Sequence, residues 1–108
     1  MRTTASLTPH LAKVAESMQS LEAIRSTGRG SLATMLDRAR TDTQTLRHAM
    51  SDVSMPLDVR THAADSLVTA HRAADRVLTE TGMGLGETRA LIDNAAAHMR
   101  EAVRTLSR

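Results

Sequence analysis

The sequence has no cysteine, tryptophan, tyrosine or phenylalanine among its 108 residues. Without cysteine, the chain can form no disulfide, offer no thiolate nucleophile and build no cysteine-ligated zinc site. Without aromatic residues, a core must be made from leucine, valine, isoleucine, methionine and alanine, which bury less apolar area per side chain. We therefore expect slender, tightly packed helices, with self-association as a further source of stability.

Long apolar runs are also missing. No run approaches 18 residues, so we expect no segment to span a membrane. The first residues, Met1–Ser6, are basic and rich in hydroxyls, and they lack the apolar centre of a Sec signal. These features predict a cytoplasmic protein or one that is secreted by a non-Sec route.

Positive charges only slightly outnumber negative charges in the sequence. The formal net charge is +2, and the pI near 10.4 reflects arginine, since Lys13 is the sole lysine. Acidic residues stand close to arginines along the chain, for example Asp37 beside Arg38 and Asp75 beside Arg76. Proteins that bind nucleic acid usually concentrate their cations on one face, so this pattern argues against a nucleic-acid partner.

What the sequence does contain is helical periodicity. Thr8-Pro9 is a favourable helix start, because a hydroxyl N-cap precedes a proline at the first helical position. Apolar residues then recur every three or four positions, at Leu7, Leu11, Val14, Met18, Leu21 and Ile24. This first helix should end at Thr27-Gly28-Arg29-Gly30, where glycine permits a left-handed C-cap.

Three further helices are predicted in the same way. Ser31 can cap a second helix, whose stripe is Leu32, Met35, Leu36, Ala39, Thr43, Leu46, Met50 and Val53. Pro56 should produce a short break, with Ser54 as the next N-cap and Pro56 in the first turn. A third helix over about 57–80 has the seam Ala63, Leu67, Ala70, Ala74 and Val77. A fourth helix follows the glycines at 82–86, and its apolar side consists of Leu91, Ile92, Ala95, Met99, Ala102, Val103 and Leu106.

The predicted fold is therefore an all-α, antiparallel bundle of four helices. Residues 1–7 should be a flexible N-terminus, and residues 8–108 a single domain of two glycine-turn hairpins, 8–53 and 57–107. The four helices either close one core in a single chain or pair with a second copy. The stretch from Gly30 aligns without gaps on that from Gly86, which indicates a duplicated hairpin or simply two amphipathic helices after glycine turns.

Few side-chain patterns suggest catalysis or metal binding. His62 shares a helix face with Asp58 and Asp65, a set that could ligate a metal, but an exposed polar face is the more common explanation. There is no Gly-x-Ser-x-Gly nucleophile elbow, and the glycine turns lack phosphate-loop spacing. We expect no metal and no cofactor.

Arg29 is the most conspicuous single residue, because it lies between Gly28 and Gly30 at a predicted turn. A guanidinium at a turn tip can act in trans as an arginine finger. The segment 29–36 resembles the arginine-finger segment of bacterial Rho GTPase-activating effectors: Thr34 matches the family's threonine, but the family's arginine falls on Gly30, one position from Arg29. The resemblance implies a GTPase-activating function.

The leading functional hypothesis is a non-enzymatic protein–protein interaction module, such as a bacterial secretion-system component, a chaperone or a secreted effector domain. Its candidate binding residues are Arg25, Arg29 and Arg38, and its partner is a protein or a second copy of the chain. Two alternatives stay open. One is a GTPase-activating regulator that uses Arg29. The other is a weak nucleic-acid-binding protein, whose binding would fall steeply with salt and would use Arg25, Arg29, Arg38, Arg40 and Arg47.

Overall fold

The computed structural model describes residues 3–27 and 31–107, with the side chains of all of these except 25–27. These residues form four α-helices: α1 (Thr8–Thr27), α2 (Leu32–Ala49), α3 (Leu57–Thr79) and α4 (Leu85–Leu106). Two 3₁₀ helices, Thr4–Leu7 and Met50–Asp52, precede α1 and follow α2. No β-strand occurs in this part of the chain, so the predicted all-α class is confirmed.

Successive helices run antiparallel and pack as a ring. α1 packs on α2, α2 on α3 and α3 on α4, and α1 closes the ring against α4. The direction is visible along α3 and α4: His62, early in α3, contacts Glu101, late in α4, whereas Arg76, late in α3, contacts Glu87, early in α4. The bundle measures 44 × 21 × 18 Å. The predicted antiparallel four-helix bundle is confirmed.

The predicted apolar stripes supply the core. Its fully buried larger side chains are Leu7, Val14, Leu21, Leu36, Leu46, Met50, Val53, Leu67 and Met99. Thr43, the polar member of the second stripe, is also buried. Its Oγ1 donates to the carbonyl of Ala39, one turn earlier, at 2.8 Å, so burial leaves the hydroxyl satisfied. A polar residue therefore occupies a core layer without needing a partner on another helix.

Helix boundaries follow the predicted signals in most places. Ser31 is the N-cap of α2, and its Oγ accepts a hydrogen bond from the backbone N–H of Thr34 at 3.3 Å. The predicted glycine C-cap of the first helix, at 28–30, lies outside the described residues. The break between the second and third helices is a true turn, since α2 ends at Ala49 and α3 begins at Leu57.

The predicted cap of the third helix was wrong. Pro56, not Ser54, is the N-cap of α3, and no side chain caps this end. Pro56 has φ −56° and ψ 144°, so its ring sets the extended backbone just before the helix and does not enter the first turn. The reason is that a proline fixes only φ and lets ψ choose between the helical and the extended basin.

The connection between α3 and α4 uses one glycine for its geometry. Gly82 has φ 76°, a left-handed conformation that glycine adopts without steric cost. Gly84 is the N-cap of α4, so Gly86 lies inside the first turn of the helix and not before it.

The N-terminal segment 1–7 was expected to be flexible. Within it, Thr4–Leu7 forms a 3₁₀ helix and Leu7 is fully buried.

The two hairpins bury the same register. In the first hairpin, the buried residues of α2 and of the position after it are Leu36, Ala39, Thr43, Leu46 and Met50. Each of them lies the same number of residues before a buried residue of α4. Those residues of α4 are Ile92, Ala95, Met99, Ala102 and Leu106. The offset is a whole number of heptads, so the heptad repeat alone accounts for the correspondence. Duplication of the hairpin therefore stays a hypothesis.

Candidate functional site

Of the three arginines proposed from the sequence as binding residues, only Arg38 has a described side chain. Arg29 lies outside the described residues, so its role as an arginine finger stays a prediction. Arg25 lies in the last turns of α1, where the backbone is described but the side chain is not. Arg38 is exposed on α2. None of the ion pairs within residues 3–27 and 31–107 includes Arg38, so its charge faces solvent.

Each of the four helix interfaces has a polar contact that joins its two helices. In order around the ring these are Ser17–Asp42 (α1 with α2), Arg40–Asp75 (α2 with α3), His62–Glu101 (α3 with α4) and Arg100–Glu22 (α4 with α1). A polar pair of this kind is satisfied at only one axial position of its two helices, but the charged pairs are partly exposed and each contributes little to stability.

Arg40 is the best-connected polar residue between α2 and α3. Its Nη1 donates to Asp75 at 2.7 Å and its Nη2 donates to Asp37 at 2.7 Å. These hydrogen bonds raise the pKa of the Arg40 guanidinium above its ordinary value. Its own carbonyl accepts a hydrogen bond from Nδ1 of His71 at 3.1 Å. Because a carbonyl can only accept, Nδ1 of His71 must carry the proton.

Arg60 holds the connection between α2 and α3. Its Nη1 donates to the carbonyl of Met50 at 2.7 Å, and its Nη2 donates to the carbonyl of Val53. The carbonyl of Met50 also accepts from the backbone N–H of Val53 at 3.1 Å, and a guanidinium presents two donors in a fixed fork. One side chain of α3 therefore adds a hydrogen bond to each of two backbone acceptors of the preceding turn.

The predicted histidine set is not assembled as a metal site. His62 Nε2 lies 2.9 Å from Oε1 of Glu101 on α4, and Asp58 is exposed on α3. In the described part of the chain, no group of three or more histidine and acidic side chains is arranged to hold a metal ion. The Nδ1 of His10 is buried and lacks a hydrogen-bond partner among the same residues.

Arg76 forms two surface ion pairs near the connection between α3 and α4. Arg76 Nε donates to Glu80 at 3.0 Å, and its Nη2 donates to Glu87 at 3.3 Å. The hydrogen bond from Arg76 lowers the pKa of the Glu80 carboxyl below its ordinary value. Because these groups are exposed, this contribution to stability should be small and sensitive to salt.

A groove of about 520 Å³ lies between the start of α1 and the end of α4. Its lining residues are Thr4, Ala5, Thr8, Leu11, Ala12, Ala15, Val103, Leu106 and Ser107. They are apolar or hydroxyl-bearing, and none is charged. The volume falls within the range of about 300–1,000 Å³ that is usual for binding sites. We call this surface the α1/α4 groove.

Sequence reasoning missed the α1/α4 groove and most of the polar contacts. The heptad pattern shows which face of each helix is buried, but it does not show which residues of two helices lie at the same height. Arg60 could have been found, because an arginine in the first turn after a proline break can reach the last carbonyls of the preceding helix. The alanines at 5, 12 and 15 are the visible sign of the groove, since small side chains leave space beside a helix.

Comparisons with known proteins add no relative. No protein-family model, curated protein or solved structure matches the chain. No helix in the described ranges is both long and apolar enough to cross a lipid bilayer.

Proposed function

We propose that this protein is a non-enzymatic protein–protein interaction module that binds its partner in the α1/α4 groove. The observation that carries the proposal is the groove itself: an uncharged, mostly apolar concavity of about 520 Å³ between two helices. Grooves of this composition suit apolar side chains of a partner helix, which insert at intervals of three or four residues.

The lining chemistry favours binding over catalysis. Leu11, Val103 and Leu106 form the apolar part of the groove, and the hydroxyls of Thr8 and Ser107 lie among them. A hydroxyl without an adjacent base is a weak nucleophile. No lining residue is a histidine, an acid, a lysine or an arginine, so this site offers hydrogen bonds and apolar contact.

The experiment compares two exposed alanines on the helices that border the groove. Ala12 lines the groove, whereas Ala97 is exposed on α4 and is not among the lining residues. Tagged wild-type protein, Ala12→Arg and Ala97→Arg are expressed in the cells that produce the protein, and co-purified proteins are quantified by mass spectrometry. Circular dichroism confirms that both variants keep the helical content of the wild type.

The expected result is a protein that co-purifies with the wild type and with Ala97→Arg but not with Ala12→Arg. A long charged side chain in the groove blocks apolar insertion and must stay hydrated, so binding is lost without loss of fold. The same set of co-purified proteins for all three forms would contradict the proposal. Binding by purified components then gives the affinity ratio of the two variants.

A further inference from the structure

The connection between α2 and α3 differs from the other two connections of the chain. The segments between α1 and α2 and between α3 and α4 contain glycine, whereas residues 50–56 contain none. Met50 and Val53 are buried in the core, and Met55 packs partly against it. This connection is therefore not a flexible glycine turn, and its bend depends on particular side chains.

Two residues keep the connection bent. Arg60 donates to the carbonyl of Met50, the first residue of the connection, and to that of Val53, its middle residue. Pro56 has no N–H and disfavours helical geometry in the residue before it, so α2 cannot continue as a regular helix into α3. Apart from Pro56, the sequence Ala-Met-Ser-Asp-Val-Ser-Met at 49–55 contains no residue that excludes a helix.

The contacts between the two hairpins do not require one chain. The ion pairs Arg40–Asp75 and Arg100–Glu22 join the first hairpin to the second, and so does the packing of α2 on α3 and of α1 on α4. If α2 and α3 formed one straight helix, a second copy lying antiparallel could supply the same contacts. Exchange of identical elements between copies keeps every interface and changes only the hinge.

We propose that Arg60 and Pro56 are a conformational device that keeps the chain closed on itself, and that without them it exchanges hairpins with a second copy. The partner in this state is the same chain, and the hinge is residues 50–56. The bent state is favoured by the two hydrogen bonds of Arg60 and by the helix-breaking effect of Pro56. The straight state is favoured by continuing the helix.

The test uses a double variant and a matched control. Pro56→Ala with Arg60→Ala removes both elements of the hinge. Pro9→Ala with Arg89→Ala makes the same chemical changes at the start of α1 and in the first turns of α4. Molar masses are measured by size-exclusion chromatography with light scattering across a range of protein concentrations.

We expect the hinge variant to dimerise at concentrations at least about tenfold lower than any at which the wild type does. This is the change that the loss of a single hydrogen bond from a charged donor would produce. The control variant should match the wild type. Because Arg60→Ala could lower stability, Pro56→Ala alone is measured as well, and it should shift the equilibrium in the same direction.

Cross-linking distinguishes hairpin exchange from ordinary association. Gln44 of α2 and Val68 of α3 line one small depression between these helices, and the chain has no native cysteine. Hinge variants with Gln44→Cys and with Val68→Cys are unfolded together, refolded and treated with a short thiol cross-linker. Exchange predicts cross-links between chains. A hinge variant that stays monomeric, or a dimer without cross-links between chains, would overturn the proposal.

Discussion

The two hairpins build one core from different materials. The first hairpin, α1 with α2, contributes mainly large side chains, such as Val14, Leu21 and Leu46. The second hairpin, α3 with α4, contributes mainly alanine, and its buried alanines are Ala63, Ala70, Ala73, Ala74, Ala95, Ala96 and Ala102. The most extensive helix packing in the bundle is that of α3 on α4. In a chain without aromatic residues, the first hairpin fills the core with large side chains, and the alanines of the second hairpin let its helix backbones approach closely.

The small residues of α1 have the opposite effect from those of α3 and α4. Ala12 and Ala15 of α1, with Ala5 just before it, border the α1/α4 groove, where they leave open space. The buried alanines of α3 and α4 are covered by their neighbours, although Ala73 also lines a depression of about 220 Å³ beside Leu91. An alanine therefore permits either contact or a groove, depending on whether the opposite helix fills the space.

The largest effect should come from removing volume that the first hairpin supplies. Leu46 is fully buried, so Leu46→Ala should lower the free energy of unfolding by about 2–5 kcal/mol. Leu85 is 68% exposed, and Leu85→Ala should change it by less than about 0.5 kcal/mol. Urea unfolding measures the change in the free energy of unfolding for each variant. Equal losses in the two variants would contradict the placement of Leu46 in the core.

The second prediction concerns a larger side chain at a buried alanine and at an alanine that lines the groove. Ala95 is fully buried between packed helices, so Ala95→Leu should destabilise the protein by about 1–3 kcal/mol through overpacking. Ala12 lines the open groove, so Ala12→Leu should stay within about 0.5 kcal/mol of the wild type. The contrast would fail if Ala12→Leu proved as destabilising as Ala95→Leu in the same denaturation experiment.

The hairpins also differ in their polar contacts, which gives a third prediction. Ser17 is buried and donates to Asp42 within the first hairpin, so Ser17→Ala should cost about 1–3 kcal/mol. This cost should change little with salt, because partly buried contacts are weakly screened. Ser54→Ala is the control: Ser54 is exposed and does not cap α3, so it should be nearly neutral. A loss at Ser17 that disappears in high salt would contradict this account.

The smallest effect concerns Arg76 and Glu80 in the second hairpin. Arg76 holds the pKa of Glu80 below its ordinary value of 4.5, so the pair stabilises the fold above that pH and the contribution is lost as the pH falls below it. Arg76→Gln should therefore lower the melting temperature slightly at neutral pH and leave it unchanged in acid. NMR titration should show a higher Glu80 pKa in the variant. Arg72→Gln, on the same helix, should leave the Glu80 pKa unchanged.

Sequence periodicity was sufficient for the helices but not for their mutual arrangement. The stripe from Leu36 to Met50 and the cap at Ser31 are local properties, and both predictions are confirmed. The cap at Ser54 was wrong because Pro56 has ψ 144°, an angle that the proline ring does not fix, so α3 begins after Pro56. The hydrogen bonds of Arg60 and Asp42 join separate elements of the bundle, and they depend on axial positions that heptads do not encode.

Light scattering of the wild type over a wide concentration range tests most directly whether the four helices of one chain close one core. The account predicts the mass of a single chain, 11.7 kDa, because polar contacts at all four interfaces form within the chain and Arg60 keeps the α2–α3 connection bent. The contradicting result is a stable dimer at every concentration, in which chains carrying only Gln44→Cys cross-link to chains carrying only Val68→Cys. That result would show that the hairpins pair between chains.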